Sequence, residues 1–281
     1  MQTVQDLPAL RAAIRGWRSQ GQTVGLVPTM GNLHAGHYSL LKLARARVDR
    51  VVASVFVNPT QFGPNEDFER YPRTLAQDQA GLAENGCDLL FAPEVATMYP
   101  FGAGQGASIR VPQVTETLEG AHRPGHFDGV ATVVCKLFNM VQPDVAVFGQ
   151  KDFQQLKVIE RMVRDLALPV MVVGAPTQRA DDGLALSSRN QYLSAEQRAL
   201  APQIHATLLQ MRELVGKGHA RHIVEEVAQS KLERAGFVPD YVAIRRAEDL
   251  AEPDASERTG LVALIAARLG TTRLIDNLQF D

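Results

Sequence analysis

The stretch Val24-Gly-Leu-Val-Pro-Thr-Met-Gly-Asn-Leu-His-Ala-Gly-His37, running directly into Tyr38-Ser-Leu-Leu-Lys-Leu-Ala-Arg45, decides the fold. It reads as a short buried strand, a Gly-rich turn carrying two histidines, and a helix. Val24, Leu26 and Val27 are strand formers, and Pro28, with no N–H to give a ladder, is expected to end the run. Gly31 and Gly36 allow a tight turn and close approach to a ligand. Leu40, Leu41, Ala44 and Val48 fall at helical spacing, which predicts a helix over 37–48 with His37 in its first turn. A helix N-terminus presents unpaired N–H groups and a positive dipole end, both of which favour phosphate. His34 and His37, three apart, can face one ligand from the same side. No third His, Cys or acidic residue stands at metal-ligand spacing, so a protein metal site is not expected.

Composition sets the outer bounds. The 281 residues suffice for one large or two modest domains, and 45% hydrophobic with 21% charged residues is ordinary for a globular chain. A net charge of −2 gives no broad surface for nucleic acid or membrane. Cys87 and Cys135 sit in apolar runs and read as free thiols instead of a disulfide. The N-terminal stretch lacks the apolar core of a signal peptide, and no apolar run reaches the roughly 18 residues that span a bilayer. A cytoplasmic location is the expectation.

The remaining pattern alternates. Residues 4–17 place Val4, Leu7, Leu10, Ile14 and Trp17 on one face of a helix. Arg50–Val57 is a near-continuous apolar run, as in a strand buried on both faces, and ends at the Pro-fixed loop 58–64. Then follow helix 73–85, strand 88–91, a short strand at Ser108–Val111, helix 128–141, strand 144–148, helix 153–166 and strand 169–173. Such alternation predicts an α/β fold, a Rossmann-like doubly wound parallel sheet, over 1–175. Ligands then bind beyond the strands' carboxyl ends, after residues 27, 57 and 148. Helices 194–215 and 219–235 precede three strands, 240–245, 260–268 and 272–278, without long helices between them. Residues 176–281 are therefore expected to form a smaller α+β domain, and closure of that domain over bound ligands would exclude water. Phe101-Gly-Ala-Gly-Gln-Gly106 lacks the strand-to-helix setting of a dinucleotide fingerprint and reads as a loop.

Several loops carry chemistry. Gly149 frees the backbone after the 144–148 strand, and Lys151 offers a compact cation for phosphate oxygens. Asp152 can cap the next helix or meet a nucleotide. Gln154 and Gln155 can bind a hydroxyl or carboxylate, or face water. Ser187, Ser188 and Arg189 can grip phosphate, or form an inter-domain turn with a surface arginine. Gln61, beyond the 50–57 strand, can reach a small hydroxy-acid. His122, Arg123 and His126 either line the site or lie in a solvated loop.

Taken together, Pro28–His37, Val57-Asn-Pro-Thr-Gln-Phe62, Tyr71-Pro-Arg-Thr74, Arg123-Pro-Gly-His-Phe127, Phe148-Gly-Gln-Lys-Asp-Phe-Gln-Gln-Leu156, Asp182-Gly-Leu-Ala-Leu-Ser-Ser-Arg-Asn190 and Ala266–Asn277 resemble, in order, the pantoate–β-alanine ligase (pantothenate synthetase) family of the H-x-G-H nucleotidyltransferase superfamily. The resemblance implies ATP-dependent condensation of (R)-pantoate with β-alanine through a pantoyl adenylate, releasing AMP and pyrophosphate. It implies ATP contacts from Met30, Gly31, Asn32, Leu33, His34, Ala35, Gly36 and His37, with His37 the catalytic histidine. Further ATP contacts would come from Gly149, Gln150, Lys151, Asp152, Leu186, Ser187, Ser188 and Arg189. Gln178 stands where the family usually has an apolar residue against adenine, so only its backbone is carried over. Gln61 and Gln155 would bind pantoate, with Gln61 also near β-alanine. Thr60 replaces a commonly bulkier apolar residue at the pantoate wall. Magnesium would be held mainly through the phosphates, Asp78 being a candidate contact, and a homodimer is implied.

The chemistry suits these residues. A carboxylate nucleophile is already ionised, so adenylation needs alignment and charge stabilisation and no base. The alternatives are a nucleotidyltransferase releasing a stable product, a nicotinamide oxidoreductase, and a non-catalytic nucleotide sensor. The oxidoreductase is disfavoured because no G-x-G-x-x-G follows the first strand.

Overall fold

A computed structural model of the chain describes residues 1–64 and 66–280. Contacts divide it into two compact units: Met1–Gln150 with Val158–Pro176, and Lys151–Lys157 with the chain from Thr177 onward. The division after Pro176 lies beside the expected one at 175/176, and residues 151–157 group with the second unit.

The first unit opens with β1 (Gln2–Val4) and α1 (Leu7–Arg18). Val4 therefore belongs to a strand, not to the expected helix 4–17. Asp6 sets the start, accepting the N–H of Ala9 at 2.8 Å, with Pro8 in the first turn. The next elements are β2 (Val24–Thr29), α2 (Ala35–Arg45), β3 (Arg50–Val55), a 3₁₀ turn at Pro59–Gln61, α3 (Leu75–Glu84), β4 (Leu89–Phe91), α4 (Val95–Met98), α5 (Glu119–His122), α6 (His126–Val141) and β5 (Val145–Gly149). A 3₁₀ turn at Gln150–Asp152 leads into α7 (Phe153–Asp165), of which the part from Val158 belongs to this unit, and β6 (Met171–Ala175) completes the set.

The six strands form a parallel sheet in the order β1-β4-β3-β2-β5-β6. Strand order reverses between β2 and β5, the switch point at which such sheets bind ligands beyond their carboxyl ends. Leu26, Val51, Val52, Leu89, Leu90 and Phe91 have essentially no exposure. Each large side chain so buried contributes about 1.5–3 kcal/mol, which explains the continuous apolar runs.

Two expectations in this unit need correction. β2 does not stop before Pro28 but continues to Thr29, both paired with β3. Thr29 O accepts the N–H of Phe56 at 3.1 Å, so Thr29 faces β3 and Pro28 faces β5, whose ladder with β2 ends at Leu26. The missing N–H of Pro28 thus falls where no ladder partner waits. Ser108–Val111 is not a strand; Ile109 N–H donates to the Thr132 hydroxyl of α6 at 2.8 Å, not to a neighbouring strand.

The second unit contains a 3₁₀ turn at Ser188–Tyr192, α8 (Ala195–Leu200), α9 (Gln203–Gly216), α10 (Arg221–Arg234), β7 (Val238–Arg246), β8 (Leu261–Leu269) and β9 (Thr272–Phe280). The expected helix 194–215 is two helices, divided where Pro202 cannot continue α8. The strands form the expected antiparallel sheet, with β8 in the middle. Leu261, Ala263, Ile265, Ala267 and Leu269 alternate toward one core, shared with Ile204, Leu208 and Met211 of α9 and Val224, Ala228 and Leu232 of α10. An α/β unit with a doubly wound parallel sheet and a smaller α+β unit are both present.

Candidate active site

The turn after β2 is built around Asp78. This residue, in the first turn of α3, is 1% exposed and accepts N–H groups from Asn32 at 3.0 Å and Leu33 at 2.8 Å. The Thr74 hydroxyl donates to it at 3.1 Å. Gly31 has φ +85°, and a Cβ there would lie 2.9 Å from Asp78 Oδ2. Glycine is thus required both for backbone conformation and for the approach of the carboxylate. The Asp78 oxygens are engaged by the loop itself, so they do not suit the magnesium contact carried over from the resemblance.

That turn delivers His34 to the N-cap of α2, which begins two residues before the expected start at 37. His34 Nδ1 accepts Gly36 N–H at 3.1 Å, while His37 Nδ1 accepts His34 N–H at 3.3 Å, a reciprocal capping box. The rings lie with centroids 4.1 Å apart. Because Nδ1 is an acceptor in both, each neutral ring carries its proton on Nε2. The pair therefore sets two Nε2–H groups beside a helix N-terminus, a chemistry that suits anionic oxygens.

Gln61 ends the 3₁₀ turn beyond β3 and is 8% exposed. Asn58 Nδ2 donates to Gln61 Oε1 at 3.0 Å and to Gly129 O at 3.2 Å. Asn58 Oδ1 accepts from Tyr99 OH at 2.8 Å and from the Thr60 hydroxyl at 3.0 Å. These bonds orient the Gln61 amide, committing its oxygen and directing Nε2 to within 3.1 Å of Met30 Sδ. The strand-27 and strand-57 loops therefore meet, with a donor available for a substrate oxygen. Gly129 lets α6 approach this turn, since a Cβ there would overlap the Thr60 carbonyl.

The 119–127 segment is not a solvated loop. Arg123 makes a fork to Glu66, Nε–Oε1 and Nη2–Oε2 both 2.6 Å. His126 Nδ1 donates to Gln61 O at 2.8 Å, which leaves Nε2 to accept from Arg123 Nη1 at 3.0 Å. This is a satisfied neutral histidine. Burial, with the Arg123 charge second, pushes its pKa down to about 4. Arg123 and His126 brace the backbone of Gln61, whereas His122 is exposed on α5.

The β5 strand ends at Gly149, and Gln150 begins the 3₁₀ turn on the same side of the switch point. In the second unit, Lys151 is half-buried, Asp152 exposed and Gln155 half-buried in the first turn of α7, where Gln154 is buried. The Gln178 side chain is exposed, and its carbonyl accepts Leu186 N–H at 2.9 Å. Ser187 caps the 3₁₀ turn that contains Ser188 and Arg189, accepting Arg189 N–H at 3.3 Å. The structure thus gathers Met30–His37 and Gln61 in one unit, and Lys151, Gln178 and Leu186–Arg189 in the other. Asp78 as a loop anchor, and Asn58 and Tyr99 as the frame for Gln61, were not anticipated. Cys87 and Cys135 are both free. Among the described residues no three His, Cys, Asp or Glu cluster as for a metal, and no helix is long and apolar enough to cross a membrane.

A parallel sheet with a histidine-capped helix N-terminus and oriented donors beyond its strand ends belongs to the class of α/β proteins that hold anionic ligands at a switch point. Within that class the assignment is specific: residues 2–279 match the model of the pantoate-beta-alanine ligase family, and the chain belongs to it. The chain is 60% identical over 280 residues to the pantothenate synthetase of Xanthomonas axonopodis pv. citri (strain 306), covering 100% of both. The crystal structure of pantothenate synthetase from Thermus thermophilus has a TM-score of 0.92 at 50% identity, covering 99% of each chain. That of the Francisella tularensis ligase, complexed with beta-gamma ATP and beta-alanine, has a TM-score of 0.83 at 33% identity, covering 99% of this chain and 97% of its own.

Proposed function

We infer that this chain condenses (R)-pantoate with β-alanine at the expense of ATP. The full-length family likeness, at 60% identity to a pantothenate synthetase, carries the reading. A pantoate carboxylate oxygen attacks the α-phosphorus of ATP, the bond to the bridging oxygen breaks, and pyrophosphate departs. The amine of β-alanine then attacks the acyl carbon of pantoyl adenylate, expelling AMP and losing a proton to form the amide of pantothenate.

The roles of the side chains follow from their chemistry. His34 and His37 donate through Nε2–H to triphosphate oxygens, and His37 is the catalytic histidine of adenylation. The backbone from Met30 to Gly36 supplies further contacts. Gly149, Gln150, Lys151, Asp152, the backbone of Gln178, and Leu186 through Arg189 hold the rest of the nucleotide. Gln61, with its oxygen held by Asn58, donates through Nε2 to pantoate and stands near the β-alanine route. Gln155 is the second pantoate contact. Magnesium would be held mainly through the phosphates of ATP and would share the charge developing on them. The protein acts in the cytoplasm as a homodimer, which sedimentation equilibrium would test.

The decisive assay combines pantoate, β-alanine, ATP and magnesium and omits each in turn. Pantoate-dependent exchange of labelled pyrophosphate into ATP, with AMP released only after β-alanine is added, is expected. A stable nucleotidyl product that accumulates without β-alanine use would overturn the reading.

A further inference from the structure

In the second unit one buried ion pair is tied to two segments of the proposed nucleotide site. Asp276 of β9 is 5% exposed and takes a fork from Arg179, Nη1–Oδ2 2.6 Å and Nη2–Oδ1 2.9 Å. Arg179 Nη1 also donates to Gly183 O at 3.1 Å. An isolated bridge between Arg179 and Ala185 and the Leu186 N–H bond to Gln178 O close the loop that leads into Ser187–Arg189. His205 packs at its base, Nδ1 3.8 Å from Asp276 Oδ2, and its ring would stand 2.8 Å from a Cβ at Gly183. On the other side, Asn277 N–H donates to Asp276 Oδ1 at 2.8 Å, and its side-chain Nδ2 donates to the carbonyl of Lys151 at 2.9 Å. Arg179 Nη2 reaches Asn277 O at 3.4 Å.

We propose that Asn277 and the Arg179–Asp276 pair are positioning residues for adenylation. Asn277 fixes the backbone from which the Lys151 ammonium extends, and Arg179 fixes the turn that presents Ser187, Ser188 and Arg189. The shared ion pair sets the distance between the two groups of phosphate donors. The inference rests on the proposed nucleotide contacts of Lys151 and Ser187–Arg189. An ion pair serving folding alone is the competing account, although such pairs stabilise little against apolar replacements. The two differ in what they predict for the half-reactions.

Asn277→Ala removes the bond to Lys151 and leaves the ion pair in place. It should slow single-turnover formation of pantoyl adenylate about tenfold, the worth of one hydrogen bond, with a raised KM for ATP. Attack of β-alanine on preformed adenylate should stay unchanged. In a Lys151→Ala background the same substitution should cost less than about twofold, because the group it positions is gone, while in His37→Ala it should still cost about tenfold. Asn277→Asp, isosteric but with no side-chain N–H to give and with a carboxylate facing the Lys151 carbonyl, should slow adenylation at least as much as Asn277→Ala. Thermal melting of every variant keeps folding in view. Equal slowing of both half-reactions, or the same cost with and without Lys151, overturns the proposal. If Lys151→Ala itself leaves adenylation unaffected, the nucleotide role of Lys151 fails first, and the inference falls with it.

Discussion

Asp78 holds Leu33 by its backbone, Oδ1 to N 2.8 Å, across 45 residues of sequence. With the parallel bond from Asn32, this fixes the turn immediately before the capping histidine. Asp78→Asn keeps the size but has one acceptor oxygen for two N–H groups and the Thr74 hydroxyl. The variant should lose about 1–3 kcal/mol of stability, the cost of a buried group left unpaired, and raise the KM for ATP. The concentration of magnesium giving half-maximal rate should not move. A thermal melt and a magnesium titration at fixed ATP measure both, and a raised magnesium requirement would restore Asp78 as a metal contact.

His37→Ala is expected to slow adenylate formation by roughly 10²–10⁴-fold. Single-turnover quench with labelled ATP measures it, and near-normal adenylation would remove His37 from the catalytic role.

Tyr99→Phe deletes the 2.8 Å bond to Asn58 Oδ1, one bond removed from the amide that Asn58 orients. The KM for pantoate should rise by up to about tenfold, with the KM for ATP little changed. Asn58→Asp should be more severe, because a carboxylate facing Gln61 Oε1 turns that amide around. Steady-state kinetics with each substrate varied would separate these outcomes, and an unchanged pantoate KM in both variants counts against the frame.

His126 predicts a pH effect on stability. Its folded pKa is depressed to about 4 from the ordinary 6.5, so on acidification the unfolded chain takes up a proton before the folded one does. Stability from this residue is therefore complete above pH 6.5, falls as pH drops from 6.5 towards 4, and levels below. Glu66, which Arg123 holds below the usual carboxylate range despite burial, adds loss only at the acidic end. Denaturant midpoints of His126→Gln should be flatter than those of the parent between pH 6.5 and 4.5. Parallel profiles would contradict this.

Gly129→Ala sets a methyl against the Thr60 carbonyl and must separate α6 from the turn carrying Gln61. A loss of about 1–3 kcal/mol, as for overpacking, is expected by chemical denaturation. Unchanged stability would show that the helix yields without cost.

The sheet was legible because its evidence is local: Arg50–Val55 and Val145–Gly149 announce buried strands by composition alone. The histidine loop was legible for the same reason, being a contiguous string. Pro28 misled because a proline's cost depends on which neighbour its nitrogen faces, and sequence order does not say. Ser108–Val111 had strand-like residues but only a side-chain hydroxyl for Ile109 N–H. The roles of Asp78, Asn58 and Tyr99 were not legible because they are hydrogen bonds to residues up to 71 positions away. No periodicity or spacing encodes those. Arg123 and His126 were noticed as residue types, but whether they were wet depended on Glu66 and the Gln61 carbonyl.

The reciprocal bonds between His34 and His37 have a consequence for how variation at this turn will be tolerated. Serine, aspartate and asparagine start helices well, so any of them at position 34 can preserve α2. None carries an imidazole Nε2–H. On the proposed role of His34 in holding ATP, selection for folding and selection for turnover therefore diverge at one residue, and a survey scored only by solubility or melting temperature is expected to accept substitutions there that an ATP-dependent assay would reject.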